Sequence, residues 1–119
     1  MPRRETKFSA GCYYHLYNRG VGKQTIFFER ENYLFFLRRL REYFSGRVIV
    51  VAYCLMPNHY HLLVRLETDE LARIMQALGM SYAKAINQRY ERVGPLYQGR
   101  FRARRVDKDV YLGHLSRYI

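Results

Sequence analysis

Two histidines, His59 and His61, are the residues best placed to do chemistry. They are separated by one residue in the segment PNHYH, which an apolar run follows. That pattern predicts a β-strand, and alternate residues of a strand project from the same face. The two imidazoles can therefore converge on one metal ion, whereas Tyr60 points the other way. The alternative is a pair of packed or exposed strand histidines that bind nothing.

Strands and helices are predicted to follow one another around this pair. A segment rich in aromatic residues at 12–18, closed by a glycine-containing turn, predicts a first strand. Apolar residues at helical spacing predict a helix at 30–44. Two apolar runs, at 48–55 and 59–66, are broken by Met-Pro-Asn and predict a hairpin.

The second half of the chain completes a known order of elements. Asp69 is the predicted N-cap of a helix that runs to about Tyr90, alternation predicts a fourth strand at 98–106, and Asp107 can cap a last helix. This order is that of a ferredoxin-like α+β fold, a split βαβ sandwich with an antiparallel sheet and an added C-terminal helix. The nearly continuous apolar strands predict a sheet covered at least partly on both faces.

Length and composition indicate one domain, residues 1–119. Cys12 and Cys54 lack the spacing of a zinc site and are too few for a disulfide framework, which favours reduced thiols. The charged N-terminus leads into no apolar signal core, and the longest apolar run is too short for a membrane span. We therefore expect a cytoplasmic protein.

The charge of the chain is strongly positive and unevenly distributed. The net charge is +11, with ten basic and four acidic residues in 1–47, three of each in 48–86, and eight and three in 87–119. Two basic segments can form one basic face, which is expected when a phosphate backbone is the partner. The alternative is a solvated surface that only aids solubility.

Arg100, Arg102 and Arg104 alternate along the predicted fourth strand, with Arg105 next to them. Such a row would point to one face and repel itself unless anions lie nearby, and DNA phosphate is the best candidate, with exposed tyrosines stacking on unpaired bases. The alternative is an edge strand that charge protects from aggregation. The candidate DNA-binding residues are Arg19, Lys23, Arg100, Arg102, Arg104 and Arg105.

Four blocks of the sequence resemble those of the REP-associated tyrosine transposases. These belong to the single-tyrosine HUH transposases, relatives of the enzymes that move small bacterial insertion sequences as single strands. The blocks occur in order along nearly the whole chain: YYHLYNRG at 13–20, MPNHYHLL at 56–63, GPLYQGRF at 94–101 and RYI at 117–119. The resemblance therefore covers much more than the histidine pair.

This resemblance implies a bacterial transposase that cleaves and rejoins single-stranded DNA. A tyrosine hydroxyl would attack the scissile phosphodiester to form a 5′-phosphotyrosine and a free 3′-OH. His59 and His61 would bind magnesium or manganese, which would polarise the phosphate. The resemblance also implies recognition of DNA hairpins and a possible homodimer.

The position of the family's catalytic tyrosine corresponds to Tyr118. Tyr111, seven residues earlier on the same helix face, is the alternative nucleophile. In the family a polar residue one turn after the tyrosine completes the metal site, but this sequence stops at Ile119, so we expect a C-terminally truncated domain. His114 could replace that third ligand, as could water or a neighbouring molecule, although a simple helix-face histidine fits His114 better. His15 could approach the metal or a phosphate, although packing, or a hydrogen bond that supports a metal ligand, fits its aromatic neighbours better.

A second hypothesis follows from the missing ligand. Without a third metal ligand, the chain would be a catalytically inactive, ferredoxin-like nucleic-acid-binding module. A third is a structural fragment with no activity of its own.

Overall fold

The computed structural model describes residues 7–106 of the chain. Within that range a four-stranded sheet is combined with two α-helices. The elements are β1 (Tyr13–Arg19), a short 3-10 turn (Val21–Lys23), α1 (Arg30–Phe44), β2 (Val48–Met56), β3 (His59–Leu66), α2 (Leu71–Arg89) and β4 (Arg102–Val106).

The sheet has the order β2-β3-β1-β4, and every neighbouring pair is antiparallel. The first and third strands are therefore central, and the second and fourth are at the edges, as the split βαβ topology requires. This arrangement confirms the predicted ferredoxin-like α+β fold. The added helix predicted after Asp107 lies outside the described residues.

One face of the sheet forms the core with both helices. Along β1 the buried residues Tyr14, Leu16 and Asn18 alternate with half-buried residues on the other face. Both helices bury one apolar stripe against this face, as their 3.6-residue periodicity predicts. The core includes Leu62, Val64 and Leu66 of β3, Phe36, Leu40 and Phe44 of α1, and Leu71, Ile74, Leu78 and Tyr82 of α2.

Burial also reaches the second face of the sheet. Leu63 lies opposite His15 across the β1–β3 pair and is fully buried, although it does not belong to the main core cluster. The prediction that both faces are at least partly covered is thus confirmed at this position. In contrast, Ile49, Val51 and Tyr53 of the edge strand β2 are each 48% exposed.

Two predicted element boundaries were wrong. Glu70, not Asp69, is the N-cap of α2, and no side chain caps this helix end, although the backbone N–H of Glu70 donates to Thr68 Oγ1 at 3.2 Å. The fourth strand begins at Arg102 rather than at 98, because Gly99 turns the chain with φ +85°. Arg100 therefore precedes β4.

No helix in the described part of the chain combines the length and the apolar character needed to cross a membrane.

Candidate metal site and nucleic-acid cleft

The predicted histidine pair lies at the start of β3. The rings of His59 and His61 are nearly perpendicular, with centroids 5.2 Å apart, and both residues are partly buried. Tyr60 between them is buried in the core on the opposite face. The strand thus places both imidazoles on one face, as the sequence pattern predicted.

Asn58 orients the ring of His59. Its side-chain Nδ2 donates to the carbonyl oxygen of Lys23 at 3.4 Å, which turns its Oδ1 toward His59 Nδ1 at 2.7 Å. Because an amide oxygen can only accept, His59 Nδ1 carries the proton and donates it. The lone pair of His59 is therefore on Nε2, where it is available to a metal ion.

His15 makes the corresponding contact to His61. Its Nε2 lies 2.8 Å from His61 Nδ1, and the two rings are stacked with centroids 5.0 Å apart. When His61 Nδ1 donates this hydrogen bond, His61 Nε2 keeps its lone pair for a metal ion. The hydrogen bond expected of His15 is thus observed, while its support of a metal ligand stays a prediction.

The pKa shifts of His15 and His61 favour the neutral form of both rings. Burial lowers the pKa of His15 to about 4, with smaller contributions from the positive charges of His61 and Arg104. Burial also lowers the pKa of His61, and His59 adds to that effect. Since only a neutral imidazole can bind a metal, these shifts favour the metal-binding form.

The described residues offer a metal two nitrogen ligands. No group of three or more His, Cys, Asp or Glu side chains within 7–106 is arranged to hold an ion. Imidazole suits transition-metal ions better than Mg²⁺, which prefers oxygen. Because Mn²⁺ also favours oxygen ligands, either manganese or magnesium would need oxygen ligands from elsewhere in addition to the two imidazoles. Tyr118, Tyr111 and His114 all lie outside the described residues.

A cleft of about 520 Å³ opens beside the histidine pair. It is basic, because no acidic side chain is among the residues that line it. Its lining consists of Tyr17, Asn18, Arg19, Lys23, Asn58, His59, His61, Gln98 and Arg102. We call it the basic cleft.

Two loops and a turn form the walls of the basic cleft. The loop after β1 donates from Gly20 N to Asn58 O at 2.9 Å and from Val21 N to Leu96 O at 3.0 Å. Gly20 also forms an isolated bridge with Tyr97. A Cβ atom at Gly20 would lie 2.0 Å from Gln24 O, so only glycine fits there. Hydrogen bonds therefore hold this loop to the turn at Asn58 on one side and to the segment at Leu96 on the other.

The predicted row of Arg100, Arg102 and Arg104 is observed in part, because Arg102 and Arg104 share one face of β4. Arg102 and Arg104 lie opposite Tyr17 and His15, on the histidine face of the sheet. Arg105 lies opposite the core residue Tyr14 and therefore on the other face, and Arg100 precedes the strand. Of the arginines near β4, Arg102 lines the cleft, as do the predicted residues Arg19 and Lys23.

Sequence reasoning missed three polar residues of the cleft. Asn18, Asn58 and Gln98 lie within the blocks that carry the family resemblance, but no spacing pattern singled them out. Asn18 caps the backbone of its neighbour by accepting from Arg19 N at 2.8 Å. Asn18 and Asn58 also donate to distant carbonyl oxygens, those of Gly99 and Lys23, and periodicity does not reveal such contacts.

A ferredoxin-like sheet with a histidine pair beside a basic cleft is an arrangement suited to a nucleic-acid enzyme. The sequence model of IS200-like transposases matches residues 8–119, and the chain belongs to this transposase family. This membership confirms the resemblance to insertion-sequence transposases. No curated protein matches the chain.

Solved structures of transposases share the fold. A REP-associated tyrosine transposase, whose structure was determined with a bound REP hairpin, superimposes with a TM-score of 0.80 at 13% identity, covering 100% of this chain and 70% of that one. A candidate transposase from Deinococcus radiodurans R1 superimposes with a TM-score of 0.64 at 16% identity, covering 98% and 95%. At these identities the similarity establishes the fold.

Proposed function

We propose that this transposase cleaves and rejoins single-stranded DNA through a 5′-phosphotyrosine intermediate. His59 and His61 bind a divalent metal ion, manganese or magnesium, and Tyr118 is the nucleophile. The observation that carries the proposal is the pair of imidazole rings that line a cleft together with three cations, in a chain that belongs to a transposase family.

The residues of the chain divide the work of the reaction. Lys23 and Arg102 bind backbone phosphates beside the histidines, and Asn58 and His15 hold the two ligand rings in the tautomer that binds a metal. A divalent ion on these rings supplies charge that stabilises the negative phosphate as it is attacked. The hydroxyl of Tyr118 gives up its proton as its oxygen forms a bond to phosphorus, the bond from phosphorus to the 3′ oxygen breaks, and that oxygen takes up a proton and leaves as a 3′-OH.

The substrate is proposed to be single-stranded DNA that can form a hairpin. The structural neighbour with a REP hairpin supports this choice, as does the charge of the basic cleft. The chain would act on DNA in the bacterial cytoplasm. Measuring its mass in solution with and without DNA tests whether it forms a homodimer.

A covalent adduct tests the mechanism. The full chain is incubated with hairpin-forming single-stranded DNA and Mn²⁺ or Mg²⁺, and protein–DNA species that resist denaturation are counted. We expect an adduct that Tyr118→Phe abolishes, whereas Tyr111→Phe leaves it intact. An adduct that survives Tyr118→Phe but not Tyr111→Phe would move the nucleophile to Tyr111.

Metal binding is tested separately by titrating Mn²⁺ and observing its electron paramagnetic resonance. His59→Ala with His61→Ala should abolish binding, and undiminished binding would refute the metal assignment. His114→Ala tests the third ligand in the same titration.

The second candidate is an inactive nucleic-acid-binding module. The observation that favours it is that the described residues include only two metal ligands. This candidate predicts tight DNA binding with no adduct in either metal, and DNA affinity that does not change in the double histidine variant.

A further inference from the structure

Arg19 and Gln98 form a fixed pair on the wall of the basic cleft. Arg19 Nε donates to Gln98 Oε1 at 2.7 Å, and Gln98 N donates to Arg19 O at 2.9 Å. Although 79 residues separate them in sequence, these two hydrogen bonds join side chain to side chain and backbone to backbone. The pair is therefore a unit and not a chance approach of two exposed side chains.

The backbone around the pair is held on both sides. Asn18, which is 9% exposed, accepts from Arg19 N at 2.8 Å and donates from Nδ2 to Gly99 O at 3.2 Å. The adjacent bridge between Gly20 and Tyr97 continues the same connection. The position of the pair relative to the histidines is thus set before any ligand arrives.

The pair presents mainly hydrogen-bond donors to the cleft. The Nε–H of Arg19 and the Oε1 of Gln98 are used on each other, which leaves the guanidinium Nη groups and the amide Nε2. Among residues 7–106, no hydrogen bond or ion pair of the structure uses these remaining donors. A matching ligand must therefore supply acceptors.

Guanine is the base that supplies adjacent acceptors. Its N7 and O6 both accept, and arginine binds them as a bidentate donor. Adenine and cytosine place an amino donor at the corresponding edge, and thymine offers a single oxygen. An unpaired base can also stack on an aromatic ring, and Tyr17 lines the same cleft.

Other residues of the cleft can neutralise the phosphates. Lys23 and Arg102 line it together with Arg19, and neither makes an ion pair with another described residue. Arg19 differs from both because an amide partner already orients its guanidinium plane. An oriented guanidinium plane suits bidentate donation, either to a phosphate or to a base edge, and the variants below distinguish these two partners.

We propose that the Arg19–Gln98 pair selects guanine in the single strand that occupies the basic cleft, by donating to guanine N7 and O6. The inference rests on the proposed function in one respect, namely that the cleft receives single-stranded DNA, and it does not require cleavage. The bound strand thus has a preferred base beside the histidine pair.

The test compares oligothymidines of about fifteen nucleotides that carry one central guanine, adenine, cytosine or 7-deazaguanine. Affinities for the full chain are measured by fluorescence anisotropy at fixed salt. We expect the guanine oligonucleotide to bind about tenfold more tightly than the adenine one. The 7-deazaguanine oligonucleotide should lose most of that advantage, because it lacks N7.

Two variants assign the preference to the pair. Arg19→Lys keeps the charge but loses the bidentate donor, and Gln98→Leu removes the group that orients it, so each should reduce the guanine preference to about twofold or less. Arg38→Lys, an exposed residue of α1, is the matched control and should keep it. Circular dichroism verifies that each variant is folded.

Three outcomes would overturn the inference. The first is equal affinity for all four oligonucleotides, and the second is a guanine preference that both variants retain. The third is a uniform loss of affinity in Arg19→Lys that leaves the guanine preference unchanged, which would assign Arg19 to a phosphate. The covalent-adduct assay is run beside this one. Adduct formation without guanine preference refutes only the selection of guanine by Arg19 and Gln98. Guanine preference without an adduct refutes only the cleavage mechanism.

Discussion

At the scale of single residues, the candidate metal site depends on two hydrogen bonds that hold the ligand rings. Asn58 accepts from His59 Nδ1 at 2.7 Å, and His15 lies 2.8 Å from His61 Nδ1. Such partners orient metal-binding histidines and fix the nitrogen that carries the lone pair. A functional test at this scale should therefore alter a partner and leave both ligands in place.

Asn58→Ala should weaken Mn²⁺ binding by about 10–100-fold, because His59 then loses the acceptor that fixes its tautomer. Asn58→Asp retains an acceptor oxygen and is the matched control, with affinity at least equal to that of the parent protein. Isothermal titration calorimetry measures both. Equal affinity in all three proteins would show that Asn58 does not support the site.

Gly20 is the second residue whose type is dictated by its contacts. Gly20→Ala should destabilise the protein by about 1–3 kcal/mol, because its Cβ would lie 2.0 Å from Gln24 O and the loop must move. Gly79→Ala in α2 is the control, since there the nearest neighbour is the Tyr97 ring at 3.7 Å. That change should stabilise the helix by about 0.5–1 kcal/mol.

Urea unfolding of both glycine variants measures these effects. A Gly20→Ala protein as stable as its parent would mean that the loop adapts without cost. The wall of the basic cleft would then not depend on this close approach.

At the scale of elements, the N-terminus of α1 is tied to the C-terminus of α2. Glu29 is the N-cap of α1, and it accepts from Tyr90 Oη at 2.7 Å and from Arg89 Nη2 at 2.7 Å. The hydrogen bond from Tyr90 and that from Arg89 lower the pKa of Glu29. The folded state therefore favours the ionised carboxylate.

The contribution of Glu29 to stability should depend on pH. Because its pKa is lower in the folded than in the unfolded chain, the stabilisation is complete above about pH 4.5 and is lost as the pH falls through the folded value. The melting temperature of Glu29→Gln should thus be lower than that of the parent at pH 7, and the difference should shrink in acid.

The control for this comparison is Glu42→Gln, which removes an exposed ion pair with Arg39 on the same helix. Exposed pairs of this kind contribute little, so its melting temperature should stay close to that of the parent. A Glu29→Gln difference that is constant from pH 7 to pH 3 would contradict the assignment.

At the scale of the whole molecule, the net charge is +11, and three cations, Arg19, Lys23 and Arg102, line the basic cleft. Each phosphate that a single strand places against a cation releases counterions, and the logarithm of affinity falls with that of salt by about 0.7 per contact. Lys23 and Arg102 should therefore contribute about −1.4 to the slope for oligothymidine.

Arg102→Gln should make this slope shallower by about 0.7. Arg38→Gln removes the same charge from the exposed surface of α1, and its slope should stay within error of the parent. Anisotropy titrations over a range of salt concentrations give the three slopes. If both variants change the slope equally, binding follows the overall charge and not the cleft.

Local periodicity sufficed to predict the order of strands and helices and the common face of His59 and His61. These features depend on residues that are neighbours in sequence, since alternation and helical spacing act within one element. For the same reason α1, with its continuous pattern, has the bounds that were predicted, 30–44. The predicted start of β4 was wrong because Gly99, in a left-handed conformation, interrupts an otherwise alternating segment.

Only the tertiary structure decided what surrounds that histidine pair. The position of His15 beside His61 depends on strand register, as does the placement of Arg102 opposite Tyr17. The contact between Arg19 and Gln98 joins residues 79 apart in sequence. The sequence by itself thus determined the two candidate ligands and their strand, and the packing of distant segments determined their partners and the cleft, because register and loop closure are properties of the whole sheet.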